Sequence, residues 1–427
     1  MEERRTLVRA PLRSVITNSP GNGVSSMSNS ERCVAKVARR AIEPIRIEER
    51  ESRICQARQH MEEEGLDAIV LEPGSNLYYF TGVRWRQTDR VMLSIIPARA
   101  EVGYVCPRFE EPRLREKLTL GDDVRVWEEH QSPYTEVAGF LQHRGINRGV
   151  IGVEGALRFF VFDGISRALP HARLSSADRV TVRCRSVKSA SEIDLLQHSA
   201  DLTVVAFEEC LRTLREGMLQ EEFTENSISV YRRLGVEGSI DIQFGLATSL
   251  PHGSEHPTRL KAGDVVLMDG GCAVEGYHSD MTRTVVLGEP SKRQREIWLL
   301  EQAAQAAAFA AARPGIPIQD VDAAARRVIV EAGLGPDYEA PGLPHRTGHG
   351  IGLDIHEAPY VVEGNRTELA PGMCFSNEPM IVIPGEFGIR LEDCLFMSQR
   401  EACYFTEPSI SIDMPLPRRN ANGKALE

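Results

Sequence analysis

The sequence predicts two folded units, a smaller α/β unit followed by a larger α+β unit. Between about 47 and 185, helical and strand patterns alternate, the order that builds sheets with helices packed on them. From about 190, two long helical stretches come first and strands bearing acidic residues follow, which is the segregated order of an α+β unit. At 427 residues, 42% of them hydrophobic, the chain is long enough for more than one core.

Residues 1–45 are polar, carry Asn18-Ser19-Pro20-Gly21-Asn22-Gly23 and show no sustained period, so a disordered tail is expected there. The α/β domain is placed at 46–185. It opens with a charged amphipathic helix over 48–64 that Gly65 stops, and Ala68-Ile69-Val70-Leu71 reads as a buried strand. Further strands are expected at 76–82, 91–97, 101–106 and 150–153. The segment Val187-Lys188-Ser189-Ala190-Ser191-Glu192-Ile193 reads as a linker and helix cap, because a serine ahead of a glutamate-containing first turn satisfies free backbone N–H groups. The α+β domain is placed at 186–412. Helices over 190–216 and 220–234 precede strands at 240–247, 264–269 and 284–287. Helices over 291–313 and 318–332 follow, and then strands carrying a histidine and two glutamates. A flexible tail is expected at 413–427.

A net charge of −11 and a pI near 5.6 leave no basic stripe to neutralise a phosphate backbone, so no nucleic-acid partner is expected. Nine cysteines lie scattered without a C-x-x-C pair, which fits reduced thiols and a cytoplasmic location. No apolar run reaches the roughly 18 to 20 residues that cross a bilayer, so no membrane association is expected. The alanine-rich stretch 303–312 reads as a buried helix stopped by Arg313-Pro314-Gly315. No apolar segment follows Arg4-Arg5 as an export signal would need.

Five dispersed side chains carry the chemistry: Asp269, Asp280, His349, Glu378 and Glu392. In the segment from Met268 to Thr284, an apolar strand, a glycine turn and a second strand return two carboxylates to each other. His349 lies in Gly348-His349-Gly350-Ile351-Gly352-Leu353-Asp354-Ile355-His356-Glu357, Glu378 in Ser376-Asn377-Glu378-Pro379, and Glu392 in Ile389-Arg390-Leu391-Glu392-Asp393. Four carboxylates and one imidazole make a hard, oxygen-rich set suited to two divalent cations such as Mn²⁺, Co²⁺ or Zn²⁺. Any one of these acids alone would be read as a solvated surface group. Together they are read as ligands, and Asp269, at the end of the apolar run Val265-Val266-Leu267-Met268, would be costly there without a partner.

On these motifs, in this order, residues from about 185 to 412 resemble the catalytic domain of the pita-bread metallopeptidases, closest to Xaa-Pro dipeptidase (prolidase) and aminopeptidase P. The region from about 47 to 185 is similar in layout to that family's smaller, creatinase-type amino-terminal domain. The resemblance implies that Asp269 chelates one metal, that His349 and Glu378 hold the other, and that Asp280 and Glu392 bridge them. A water shared by two cations loses a proton near neutral pH and can attack a peptide carbonyl. Glu378 is the candidate proton shuttle. His252 and His356 match positions that orient substrate and stabilise the oxyanion. His345 resembles a pocket residue, and Arg390 is expected to bind substrate and to position the bridging carboxylate beside it.

The resemblance further implies Mn²⁺ as the usual metal, short proline-containing peptides as substrates and a homodimer, with Arg84-Trp85-Arg86 a candidate subunit contact. Met380-Ile381-Val382 departs from the glycine and tyrosine common after Asn-Glu-Pro in relatives, which bears on substrate preference. A metal-independent C–N hydrolase of the creatinase or ectoine hydrolase type, and a non-catalytic binding module on the same fold, are the competing functions. Both typically lose ligands, and all five are present here. His256 and His278 are read as ordinary loop and turn residues. Gly271, Gly350 and Gly352 are read as points of close strand approach, because no phosphate-loop or dinucleotide pattern accompanies them. Asp354 and Glu357 are read as groups outside the ligand set, and Cys272, Cys374 and Cys394 as packed strand residues.

Overall fold

The computed structural model describes residues 42–254 and 256–417. The first unit contains α1 (Ile47–Glu64), β1 (Ala68–Leu71), α2 (Ser75–Thr81), β2 (Leu93–Pro97), β3 (Gly103–Pro107), α3 (Glu111–Arg115), β4 (Asp123–Trp127), α4 (Pro133–Gln142), β5 (Val150–Val153), α5 (Phe159–Ala168), β6 (Arg173–Ser176) and α6 (Asp178–Ser186). Its strands form one mixed sheet in the order β4-β3-β2-β1-β5-β6. Strand β2 runs antiparallel to β1 and β3, while β5 runs parallel to β1 and β6. All four residues of β1 are fully buried, as a central strand covered on both faces requires.

The strand expected at 76–82 is instead α2. Its aromatic run favours a strand locally, but Leu77, Phe80 and Thr81 are all buried on one side at helical spacing. Gly82 closes the helix in the left-handed conformation at φ 77°, its N–H bonded to the Tyr78 carbonyl, a position that suits glycine.

The second unit begins at Ser189, whose hydroxyl accepts from the Glu192 N–H while the Glu192 carboxylate accepts from the Ser189 N–H, the expected cap. It contains α7 (Ala190–Leu211), α8 (Gln220–Leu234), β7 (Glu237–Phe244), β8 (Val265–Val274), β9 (Tyr277–His278), β10 (Met281–Val286), α9 (Lys292–Ala311), α10 (Gln319–Glu331), β11 (Gly348–Gly350), β12 (Glu357–Val361), β13 (Cys374–Asn377), β14 (Met380–Ile383), β15 (Phe387–Arg390), β16 (Glu392–Met397) and β17 (Ala402–Tyr404). One antiparallel sheet follows the order β12-β11-β13-β16-β10-β8-β7, with β17 on β16 and β9 on β8, and β14 and β15 form a separate hairpin. Helices α7 and α8 pack Phe207, Phe223 and Tyr231 against Ile240, Phe244, Val266 and Met268. Helices α9 and α10 pack Trp298, Ala308 and Ile329 against Phe375, Ile389 and Leu395. The alanine-rich stretch lies in α9.

Strand β8 does not end at Asp269. It continues through Gly270 and Gly271 to Val274, and the chain turns at Glu275 and Gly276, both with positive φ. A side chain at Gly270 would meet the Ser239 carbonyl at 2.2 Å, and one at Gly271 the Ser279 carbonyl at 1.9 Å. Close strand approach therefore accounts for Gly271, and the same holds at Gly350, where an added Cβ would lie 2.5 Å from the Ala358 carbonyl.

A buried ion cluster joins the units. Glu357 on β12 lies 2.8 Å from Lys188 Nζ and accepts from Arg185, which also reaches Asp354 and Asn76. Arg53 on α1 pairs with Glu192 at 3.3 Å. Arg84 bonds Glu275 at 2.9 Å and stacks on Tyr78, so this loop residue contacts the second unit of its own chain. The tails expected at 1–45 and 413–427 lie outside the described residues apart from 42–45 and 413–417. Within those, Ile45 is buried in the first core and Asp413 pairs at the surface with Arg295 of α9. Cys272, Cys374 and Cys394 are buried. Among the described residues, no helix is long and apolar enough to cross a membrane.

Candidate metal centre

Five neighbouring pieces of the antiparallel sheet bring the ligand candidates together. His349 is on β11, Glu378 follows β13, Glu392 begins β16, Asp280 precedes β10 and Asp269 is in the middle of β8. These strands are adjacent in the order β11-β13-β16-β10-β8, so each contributes one group to a common wall. Asp269 sits opposite Thr282, and Thr282 opposite Glu392. Ligand atoms of Asp269, Asp280 and Glu392 lie within 4.8 Å of one another, and so do those of His349, Glu378 and Glu392. Glu392 belongs to both groups. A third group joins Asp280, His349 and His356.

Neighbouring groups hold the candidates in place. His349 Nδ1 faces the Gly350 carbonyl at 3.1 Å. A carbonyl only accepts, so Nδ1 carries the proton and Nε2 is turned to the carboxylates, 3.1 Å from Glu378 and 3.7 Å from Asp280. The Ser376 hydroxyl donates to Glu378 at 3.2 Å and accepts from the His349 N–H at 3.0 Å, tying two candidates to one residue. The Thr282 hydroxyl lies 3.0 Å from Asp269 and 2.7 Å from Glu392, and accepts from Arg390 Nε at 3.1 Å. Arg390 also donates through Nη2 to Asp269. The sequence pointed Arg390 at substrate and at Glu392. Its direct partners here are Asp269, Thr282 and the Pro251 carbonyl, and it also stands in the wall of the cavity that opens onto the ligands.

The electrostatics show what this set lacks. Burial and the neighbouring Asp269 push Asp280 up to about 7. Burial, Asp280 and Glu378 raise Glu392 well above the usual carboxylate range. Burial would also raise Glu378, but its hydrogen bond to His349 and the charges of His349 and Arg390 hold it below that range. Glu392 Oε1 is buried with no hydrogen-bond partner. Crowded acids, one orphaned oxygen and an imidazole whose Nε2 faces inward among the carboxylates fit divalent cations, which would displace the Nε2 proton and relieve the repulsion.

A cavity of 1050 Å³ opens onto the ligands, and His252 and His356 are in its wall. The His356 ring meets His349 edge-on with centroids 4.1 Å apart. His345 is set back behind Glu378, its Nδ1 facing the Arg346 carbonyl at 2.7 Å and its Nε2 buried without a partner. His278 lines the cavity and is anchored through its backbone N–H to Gly352, and His256 is exposed in a loop. Sequence reasoning assigned no role to Thr282 or Ser376. For Thr282 a signal was present, since Asp280, Thr282 and Thr284 alternate at strand period and share a face.

A sheet with five converging ligand candidates beside a wide cavity is the arrangement of a metal-binding site open to a ligand. Residues 194–399 match the model of metallopeptidase family M24, and residues 53–187 match the creatinase/prolidase N-terminal domain. A probable dipeptidase PepE of Mycobacterium tuberculosis is 35% identical over 343 residues, covering 78% of this chain and 88% of that protein. The crystal structure of dipeptidase PepE from Mycobacterium ulcerans superposes with a TM-score of 0.79 at 31% identity, covering 86% of this chain and 97% of the other. A recombinant prolidase from Thermococcus sibiricus gives 0.77 at 28%, covering 84% and 96%. The chain belongs to metallopeptidase family M24, with a creatinase-type amino-terminal domain ahead of a pita-bread catalytic domain. That membership implies a site for two metal ions, and the ligand candidates described above are present for it.

Proposed function

We propose that the protein is a dinuclear exopeptidase that hydrolyses the bond between an amino-terminal residue and proline in dipeptides or short peptides. The carrying observation is the wall of five ligand candidates, with Glu392 common to the Asp269/Asp280 group and the His349/Glu378 group. Asp269 would hold one ion, His349 and Glu378 the other, with Asp280 and Glu392 between them. Two bound cations, for which manganese is the choice, supply Lewis acidity and an acidified water. Glu378 stands at the edge of the set, held by Ser376 and beside His349, where it can take a proton from water and deliver it to the leaving nitrogen. His252 and His356 face the cavity as donors to the carbonyl oxygen. His345 backs the Glu378 side of the pocket. Arg390 acts on Asp269 and through it on the bound substrate.

Relatives named as dipeptidases and prolidases support a short peptide substrate. The complete ligand set speaks against the creatinase-type and non-catalytic readings. A cytoplasmic homodimer is part of the proposal. The test is hydrolysis of Ala-Pro, Ala-Pro-Ala and Ala-Ala by Mn²⁺-loaded protein, beside a chelated control and Glu378→Ala. Metal-dependent cleavage before proline is expected, reduced about 10³-fold in the variant. Bound metal without cleavage of either proline peptide would refute the Xaa-Pro assignment.

A further inference from the structure

We propose that Asp241 is a specificity residue that receives the cationic side chain of a lysine or arginine at the amino-terminal position of the substrate. The inference deepens the exopeptidase reading and rests on it. Asp241 is on β7, the strand next to β8, and its register partner is Asp269. Residues directly opposed in an antiparallel pair project from the same face. Asp241 therefore extends the row of ligand carboxylates by one strand, about 5 Å beyond Asp269.

The surroundings of Asp241 differ from those of the ligands. Among the described residues its carboxylate has no hydrogen-bond or ion-pair partner. It stands in the wall of the main cavity and also in that of an adjoining cavity of 310 Å³, lined in part by Gln220, Glu221, Thr224, His252 and Ser254. No lysine or arginine lines that second cavity, whereas Glu221 adds another carboxylate. The four ligand carboxylates have Arg390 near them and would have two divalent cations to balance them. Asp241 has neither, so its charge is open to a ligand.

The direction of the substrate follows from Glu378. If Glu378 delivers the proton to the leaving nitrogen, the second residue lies at the β11 and β13 end of the wall. The first residue then extends the other way, past Asp269 toward Asp241. Its α-ammonium is fixed one carbon from the scissile carbonyl and falls beside the ligand set. A lysine or arginine side chain has the stem to reach a strand further.

The test compares kcat/KM for Lys-Pro, Leu-Pro, Lys-Ala and Leu-Ala, so that the two positions of the dipeptide are read separately. Lysine is expected to exceed leucine by about tenfold with either second residue. Asp241→Asn should lower the lysine substrates about tenfold more than the leucine substrates, with thermal melts checking the fold. Asp241→Lys should turn the preference toward Glu-Pro. In metal-free protein, where no turnover competes, calorimetric titration should bind Lys-Pro more tightly than Leu-Pro and lose the difference in Asp241→Asn. Activity confined to the alanine dipeptides would sink the proline reading and still support Asp241 if lysine leads. Equal rates for lysine and leucine would overturn the Asp241 assignment, and so would an equal loss on both in Asp241→Asn, which would point to the α-ammonium instead.

Discussion

Arg390 donates through Nη2 to Asp269 and through Nε to Thr282, and Thr282 in turn touches Asp269 and Glu392. One guanidinium thus orients carboxylates from two strands. Arg390→Ala should leave both under-restrained and weaken Mn²⁺ binding about 10- to 100-fold, the usual cost of removing a group that orients ligands. Arg390→Lys should recover little, because an ammonium cannot supply the two-point geometry. Metal titration of the purified variants decides this, and unchanged affinity would contradict it. The ligand residues could be read from the sequence because each sits in a compact local motif. Thr282 and Asp241 could not be assigned in the same way. Their roles arise from cross-strand register, which brings residues 13 and 28 positions from Asp269 in the chain into line with it.

At the scale of elements, the junction between α6, the start of α7 and β12 depends on Glu357. Burial alone would raise its pKa, but Lys188 and Arg185 outweigh that and hold it below the usual carboxylate range. The pair is nearly inaccessible to water, with side-chain exposures of 1% for Lys188 and 8% for Glu357. Lys188→Ala should therefore destabilise the protein by about 3 kcal/mol, measured by denaturant melts near pH 7. A carboxylate with a depressed folded-state pKa stabilises the fold above its unfolded value, near 4.3, and loses that contribution as pH falls through the lower folded value. Wild-type stability should fall across that acid window, and Glu357→Gln should flatten part of the fall. The sequence reading placed Glu357 outside the ligand set but gave no reason for its burial. That reason lies in the other unit, at Arg185, and in the linker, at Lys188. The helix misread as a strand at 76–82 has a similar cause, since packing of Leu77 and Phe80 overrides the local strand preference of an aromatic run.

At the scale of the molecule, the ligand wall stores unfavourable charge that cations relieve, so metal binding and folding are linked. Mn²⁺ at about 100 times its Kd should stabilise the native protein by about 2.7 kcal/mol per site, seen as a higher melting temperature that chelation reverses. Glu392→Gln, altering the ligand shared by the Asp269/Asp280 and His349/Glu378 groups, should remove most of the increase, and a full increase in that variant would argue against the two-ion arrangement. By itself the sequence determined the class of each unit, the order of the main helices and the residue types able to bind metal, because periodicity, caps and short motifs are local properties. The tertiary structure alone decided which strands are neighbours, that β8 passes through its glycines rather than ending before them, that Arg390 serves Asp269, and that Asp241 faces the cavity. Those facts depend on register and packing between residues far apart in the chain, and local propensity carries no record of them.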